Sequence, residues 1–240
     1  MASWIVPPRP AAYVEQALVS AILDGTFPPG STLPGERELA ERLGVTRPTL
    51  RETLRRLERD GWVTIRQGKP TRVNDFWRDG GLNALHALVR YAKRLPPSFV
   101  PNLLEVRVAL APAYARAAVE RNPEQVLSFL AASDALEDTP DAFAAYDWQL
   151  HRTLAMASGN PVFTLILNGF AGFYERMARL YFAQPEARKA SRTFYNSLRR
   201  VALRGDGVAA QRITRRAMRR SLSLWEKAQG KPSDELPGGA

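Results

Sequence analysis

Arg47, Arg51 and Arg55 recur at four-residue intervals, a spacing that stacks three guanidinium groups on one face of a helix. Thr46 precedes them, and its hydroxyl suits the amide groups left unpaired where a helix begins. Leu50, Leu54 and Leu57 fall on another face of the same stretch, so an apolar core would hold the helix with its arginines outward. A guanidinium fork matches guanine O6 and N7, and phosphate oxygens equally well. Such a stripe on its own is most often a solvated surface. Its surroundings give it direction: Arg47 and Thr46 stand at the helix start, where a helix entering a groove meets base edges. Gly68, at the tip of a downstream hairpin, allows close approach to phosphate or to the minor groove. A second pair with chemical potential is Asp147 and His151, which share a helix face at i, i+4. That is a workable pair of metal ligands, but the chain has only two histidines and no cysteine.

The elements that would position these residues follow from the pattern around them. Ala11 to about Asp24 reads as a helix with Val14, Ala17, Leu18, Ala21 and Ile22 inward. Pro28-Pro29-Gly30 is a turn, Leu39 and Leu43 repeat at helical spacing, and Gly44 ends that run where a left-handed residue is needed. After the arginine helix, Asp60-Gly61 closes it, Trp62–Ile65 reads as a strand, Gln67–Pro70 as a tight turn and Thr71–Val73 as the returning strand. Helix, Gly turn, basic helix and hairpin together make a winged helix-turn-helix. From Gly81 onward only helical periodicity is present, with helices expected at about 81–94, 98–120, 123–134, 139–157, 161–182, 186–204 and 206–229. The expected fold is therefore mainly α: a winged helix-turn-helix over residues 1–74, a linker at 75–80, an all-helical domain over 81–229 and a disordered tail at 230–240.

Composition narrows the function classes. The 240 residues carry a net charge of +10 and a pI near 10.4, which favours a polyanionic partner. Residues 1–75 hold 11 Lys and Arg against 9 Asp and Glu, so most of the surplus lies downstream. DNA contact must then rest on local placement in the first domain. Eleven basic residues crowd between Arg188 and Arg220, which suits either solubility, extra attraction to DNA or a phosphorylated ligand. No apolar run approaches the roughly 18 residues of a spanning helix, and the N-terminus has no basic segment followed by an apolar one. A cytoplasmic protein with no membrane partner is expected, and the absence of cysteine excludes disulfides and thiolate chemistry.

Two segments, FPPGSTLPGEREL from Phe27 and GVTRPTLRE from Gly44, resemble the GntR family of bacterial transcription regulators. DWQLH from Asp147 and ASGNP from Ala157 resemble the helical ligand-binding domain of the same family. NDFW at Asn74–Trp77, LILNG from Leu165 and YFAQPEAR from Tyr181 are similar to its FadR subfamily, which responds to long-chain fatty acids. The resemblance runs from about residue 11 to 229 without gaps. It implies DNA contacts at Arg37, Thr46, Arg47, Thr49 and Arg51, and at Gln67, Gly68 and Lys69 on the wing. Gln67 replaces a histidine of that subfamily and Pro48 a threonine, changes that bear on operator preference.

The same resemblance implies a fatty acyl-CoA effector held by Arg107, Tyr174, Tyr181, Tyr195, Ser221 and Trp225. Arg220, a glutamate in the subfamily, is a further candidate because a guanidinium pairs with CoA phosphates. Met218 replaces a glycine and would narrow the acyl entrance. Relatives that bind a divalent metal use one Asp and three His. Here two of those positions fall on Tyr195 and Ser221, poor substitutes, so no metal and no cofactor is expected. An enzyme is not expected either: there is no Gly-x-Ser-x-Gly elbow and no His near Ser221 in sequence to serve as its base. The expected activity is that of a homodimeric transcription regulator on a pseudo-palindromic operator, released by long-chain acyl-CoA. It would repress fatty-acid degradation genes and activate those of unsaturated fatty-acid synthesis. A GntR-type sensor of an organic acid is the alternative, and an acyl-CoA-processing enzyme a distant one.

Overall fold

The computed structural model describes residues 10–91 and 96–229. Two compact units divide at residues 95 and 96.

In the first unit α1 (Pro10–Leu23) buries Val14, Leu18, Val19 and Ile22. Val19 joins this face, while Ala17 and Ala21 are only half-buried. Helix α2 (Glu36–Leu43) stops at Gly44, whose φ of 64° places it in the left-handed region that glycine adopts without steric cost. Helix α3 (Arg47–Arg59) opens on Thr46, which accepts a hydrogen bond from the Thr49 amide at 3.3 Å. Pro48 sits in its first turn, where no amide partner is lost. Leu50, Leu54 and Leu57 are buried, so the arginines lie on the outer side.

The hairpin is shorter than its sequence suggests. Strands β1 (Val63–Thr64) and β2 (Arg72–Val73) pair antiparallel, Val63 opposite Val73 and Thr64 opposite Arg72. The flanking amides are used elsewhere. Trp62 donates to the carbonyl of Leu57, and Ile65 to the Glu58 carboxylate. Helix α3 thus takes the bonds that would have lengthened the ladder, and an isolated bridge from Thr32 to Arg72 extends the sheet on its other side. Gly61, at φ 87°, has the carbonyl of Asp79 2.3 Å from where a Cβ would lie, so no side chain fits there. A short α4 (Phe76–Asp79) follows. Helix α5 (Leu82–Tyr91) packs on α1 and belongs to this unit by its contacts. The expected helix 81–94 runs past Tyr91 into residues outside the description.

The second unit is all helix: α6 (Phe99–Arg121), α7 (Pro123–Ala131) with a 3₁₀ turn after it, α8 (Pro140–Ala157), α9 (Pro161–Asn168), α10 (Ala171–Phe182), α11 (Pro185–Ala202) and α12 (Gly207–Gln229). Prolines open α7, α8, α9 and α11. Thr139 and Asn160 cap α8 and α9 through their side chains. The expected helix over 161–182 is two helices. Gly169 and Phe170 interrupt it, and their amides turn back to Leu165, Ile166 and Leu167. A glycine costs about 1 kcal/mol in a helix interior, which makes this the place to break. Helix α12 runs along α6, with α8 and α11 packed beside this pair. The expected tail at 230–240 lies outside the described residues.

Candidate functional sites

The outer face of α3 carries Thr46, Arg47, Arg51 and Arg55, all exposed, with Thr49 half-buried. The Thr46 hydroxyl is engaged by the Thr49 amide and by the Thr49 hydroxyl at 2.9 Å. Cap formation therefore takes up the Thr49 amide, and only the hydroxyls keep capacity for phosphate. Arg51 is held from the neighbouring helix: its Nε donates to Glu36 at 2.6 Å. That fixes the guanidinium plane and leaves its Nη groups free to reach outward. Arg37 is exposed on α2. On the wing Gln67, Gly68 and Lys69 are exposed, Gly68 has a φ of 72°, and the Lys69 amide closes the turn onto Arg66. Sequence reasoning left Arg55 and Arg59 out of the contact set. Both line a shallow concavity with Pro48, Arg51, Glu52 and Arg56. The i, i+4 spacing carried the signal for Arg55. Glu36 gave none, since it meets Arg51 from fifteen residues away.

The second unit holds a partly open pocket with about 70 Å³ of free space among α6, α9, α10 and α12, walled chiefly by Leu103, Leu104, Leu110, Phe170, Met177 and Trp225. Arg107, Tyr174 and Tyr181 also line it. A smaller void of about 20 Å³ shares Arg107, Tyr181 and Phe182 with the first and is bounded by Met218, Arg220 and Ser221. Met218 is buried there, as its size at that position implies. Tyr195 lines the wall of neither void.

Between the voids and the core sits a polar node. Arg107 Nη2 donates to Asp147 Oδ2 at 3.0 Å and to His151 Nε2 at 2.7 Å. Tyr174 and Tyr195 donate to the two Asp147 oxygens, Tyr195 at 3.0 Å, and Tyr114 lies 2.6 Å from His151 Nδ1. Because a guanidinium can only donate, His151 Nε2 must carry the lone pair. Its Nδ1–H therefore donates to the Tyr114 oxygen. Burial, and then the charge on Arg107, push the His151 pKa down to about 4, so the ring is neutral at pH 7. Burial alone would raise the Asp147 carboxyl, yet His151, Arg107 and the two phenols hold it below its usual range. Burial also opposes the charge on Arg107, but the Tyr174 phenol and Asp147 more than offset this and its pKa is raised. Burial raises Tyr174 and Tyr195 well above the ordinary phenol value. The node is then one buried ion pair wrapped in neutral donors.

This node does not fit a metal. Among the described residues no three His, Cys, Asp or Glu come together, and the Arg107 guanidinium bonds both Asp147 and His151. Tyr195 holds Asp147 from below the cavity, a positioning part. Ser221 donates to the carbonyl of Ala217 at 3.1 Å, back along its own helix. Sequence reasoning gave no role to Tyr114, and the only trace of one is its i, i+7 relation to Arg107 on α6.

Residues 10–73 match the family profile of bacterial regulatory proteins, gntR family, and residues 74–236 that of the FadR C-terminal domain. The chain is 45% identical over 229 residues to the Fatty acid metabolism regulator protein of Cronobacter sakazakii, covering 95% of this chain and 94% of that one. To the protein of the same name from Yersinia pestis it is 45% identical over 226 residues, 94% of this chain and 95% of the other. Among solved structures, that of Lar, described as controlling expression of the Listeria monocytogenes agr system, aligns with a TM-score of 0.61. At 16% identity over 92% of this chain and 98% of that one, the likeness is one of fold. These domains are regulatory, not enzymatic. A gntR-type winged domain followed by a helical domain, matched over nearly its whole length, places this chain in the FadR branch of the GntR family of bacterial transcription regulators.

Proposed function

We propose that the chain is a one-component regulator of fatty-acid metabolism that binds operator DNA through α3 and the wing and is released by a long-chain acyl-CoA in the helical unit. The observation that carries the effector half is the cavity: an apolar void whose one polar border is the Arg107 node. An aliphatic chain fits apolar walls, and the cationic end suits a thioester carbonyl more than a bare carboxylate, because Asp147 already pairs with Arg107. A small organic acid would have to displace that carboxylate. Met218, Arg220 and Ser221 bound the second void, the side on which the CoA head would leave.

Size supplies the switch. About 70 Å³ is far below the roughly 300–1,000 Å³ of ligand pockets, so a long chain enters only if α6, α10 and α12 move apart. The closed form is then the ligand-free form. Release from DNA follows if the opened form binds operator less well, and a 100-fold loss requires about 2.7 kcal/mol of coupling. The protein acts as a homodimer in the cytoplasm, because one recognition helix covers too few bases and a pseudo-palindrome presents two half-sites. The outputs are repression of fatty-acid degradation and activation of unsaturated fatty-acid synthesis.

Fluorescence anisotropy of a FadR-type operator duplex, at fixed salt because phosphate contacts make affinity salt-dependent, tests both halves. Oleoyl-CoA is expected to release the duplex while CoA and oleate do not. Tight binding with no release would remove the acyl-CoA effector and keep the DNA assignment. Release by oleate alone would move the effector to a free carboxylate.

A further inference from the structure

Arg212, Arg215, Arg216 and Arg219 stand at i, i+3, i+4 and i+7 on α12, all exposed and flanking a shallow groove with Val208 and Gln211. Four other arginines of this unit pair with carboxylates: Arg116 with Glu120, Arg179 with Asp141, Arg188 with Asp138 and Arg199 with Asp134. Among the described residues no carboxylate pairs with any of the four on α12. A solvated basic face is the ordinary reading of such a stripe, but two apolar residues argue for a partner. Leu203 is 68% exposed and Val208 57%, and they flank the turn joining α11 to α12, Leu203 just after α11 and Val208 in the first turn of α12. That turn is held by the amide of Asp206 on Val201 and of Gly207 on Gly205, so the two side chains are presented on a fixed support. The opposite face of α12 is committed to α6 and α11. What remains outward is a strip ~16 Å long, from Val208 to Arg219 at 1.5 Å per residue, apolar at one end and cationic along the rest.

We infer that this face docks on an anionic phospholipid surface. Basic residues near such a surface are drawn to lipid phosphates, at about fivefold in affinity each. A bare apolar tip adds nothing against a nucleic-acid backbone, whereas at a bilayer it enters the headgroup boundary. Stable association at a membrane takes two signals, apolar and basic, and this face carries both. No described helix is long and apolar enough to cross a membrane, so the contact is peripheral and reversible. The inference stands apart from the identity of the effector.

Flotation of the full chain with phosphatidylcholine vesicles, with and without 30% phosphatidylglycerol, tests it. At low salt the anionic vesicles should retain at least about tenfold more protein, and 0.5 M NaCl should reduce that strongly. The variant R212Q/R215Q/R216Q/R219Q should fall to the level of neutral vesicles, and the corresponding Lys variant should keep binding. L203S/V208S should lose binding severalfold with its preference for anionic vesicles intact. Equal capture by both vesicle types, or by neither, would overturn the inference, as would retention unchanged in the Gln variant, which would point to α3. A Gln variant that loses non-operator duplex DNA while still floating would assign the stripe to nucleic acid. No effect of L203S/V208S would reduce the face to plain electrostatics and overturn the lipid assignment. All six positions are exposed, and circular dichroism of each variant checks that the fold is kept.

Discussion

At the scale of single residues, Asp147 organises the helical unit. One carboxylate receives hydrogen bonds from Arg107 on α6, Tyr174 on α10 and Tyr195 on α11, so one residue of α8 ties in three other helices. Removing one partner of a buried ion pair costs about 3–5 kcal/mol, because the other is left uncompensated. The sequence showed Asp147 and His151 as neighbours on a helix face but could not show what fills the space between them. A metal-ligand spacing and a guanidinium-binding spacing are the same spacing, and only the arrival of Arg107 from forty residues away decides. The node also carries a pH signature. The His151 pKa falls to about 4 in the fold, from about 6.5 in an unfolded chain. Its contribution is therefore fully present above pH 6.5 and fades as pH falls toward 4. Asp147, held low, adds a further loss only below about pH 4. Urea unfolding at pH 7, 5.5 and 4.5 should show about 2 kcal/mol more acid loss in the wild-type chain than in His151→Gln. Equal slopes in the two proteins would mean that His151 is not neutral in the fold.

At the scale of elements, the recognition helix was the most legible part of the chain. Its 3.6-residue periodicity, its cap at Thr46 and the left-handed Gly44 before it are local, and local signals survive tertiary packing. Elements that depend on competition between neighbours were less legible. The hairpin strands are short because α3 takes the Trp62 and Ile65 amides. The segment 161–182 breaks at Gly169 although its apolar periodicity continues. The Arg51–Glu36 pair belongs to this class as well, since it joins two helices whose angle is not written in either. It has a functional consequence: Arg51 approaches DNA partly neutralised and preoriented, whereas Arg47 is exposed and forms no ion pair among the described residues. Arg47 is thus the cleaner reader of a base. Arg47→Ala should cost about 1–3 kcal/mol on operator DNA and relax specificity at one base pair. A uniform loss across all sequences, with a shallower salt dependence, would make it a phosphate contact instead.

At the scale of the whole molecule, the basic surplus is shared: residues 1–95 hold 15 Lys and Arg against 10 Asp and Glu, and residues 96–240 hold 19 against 14, so each unit is +5. Net charge alone does not tell the DNA-reading unit from the other, and the placement of the arginines on α3 does. Two compact units with separate cores also mean that ligand response and DNA affinity are separable by mutation. Trp225 walls the cavity from α12 and is buried, and it lies in a different compact unit from α3. Trp225→Ala should enlarge the cavity, lower the stability of the helical unit by about 3–5 kcal/mol and weaken the response to oleoyl-CoA, leaving operator affinity unchanged in the absence of ligand. The reason is that a ligand shifts an equilibrium only by its differential affinity for the two forms. A cavity already loosened offers less difference between closed and open. Anisotropy titrations of operator with and without oleoyl-CoA, run beside thermal unfolding, separate the outcomes. Lost response at unchanged operator affinity supports a cavity that drives the switch. A normal response in the destabilised variant would place the effector elsewhere on the helical unit, and parallel loss of both would show that the two units are not independent in stability.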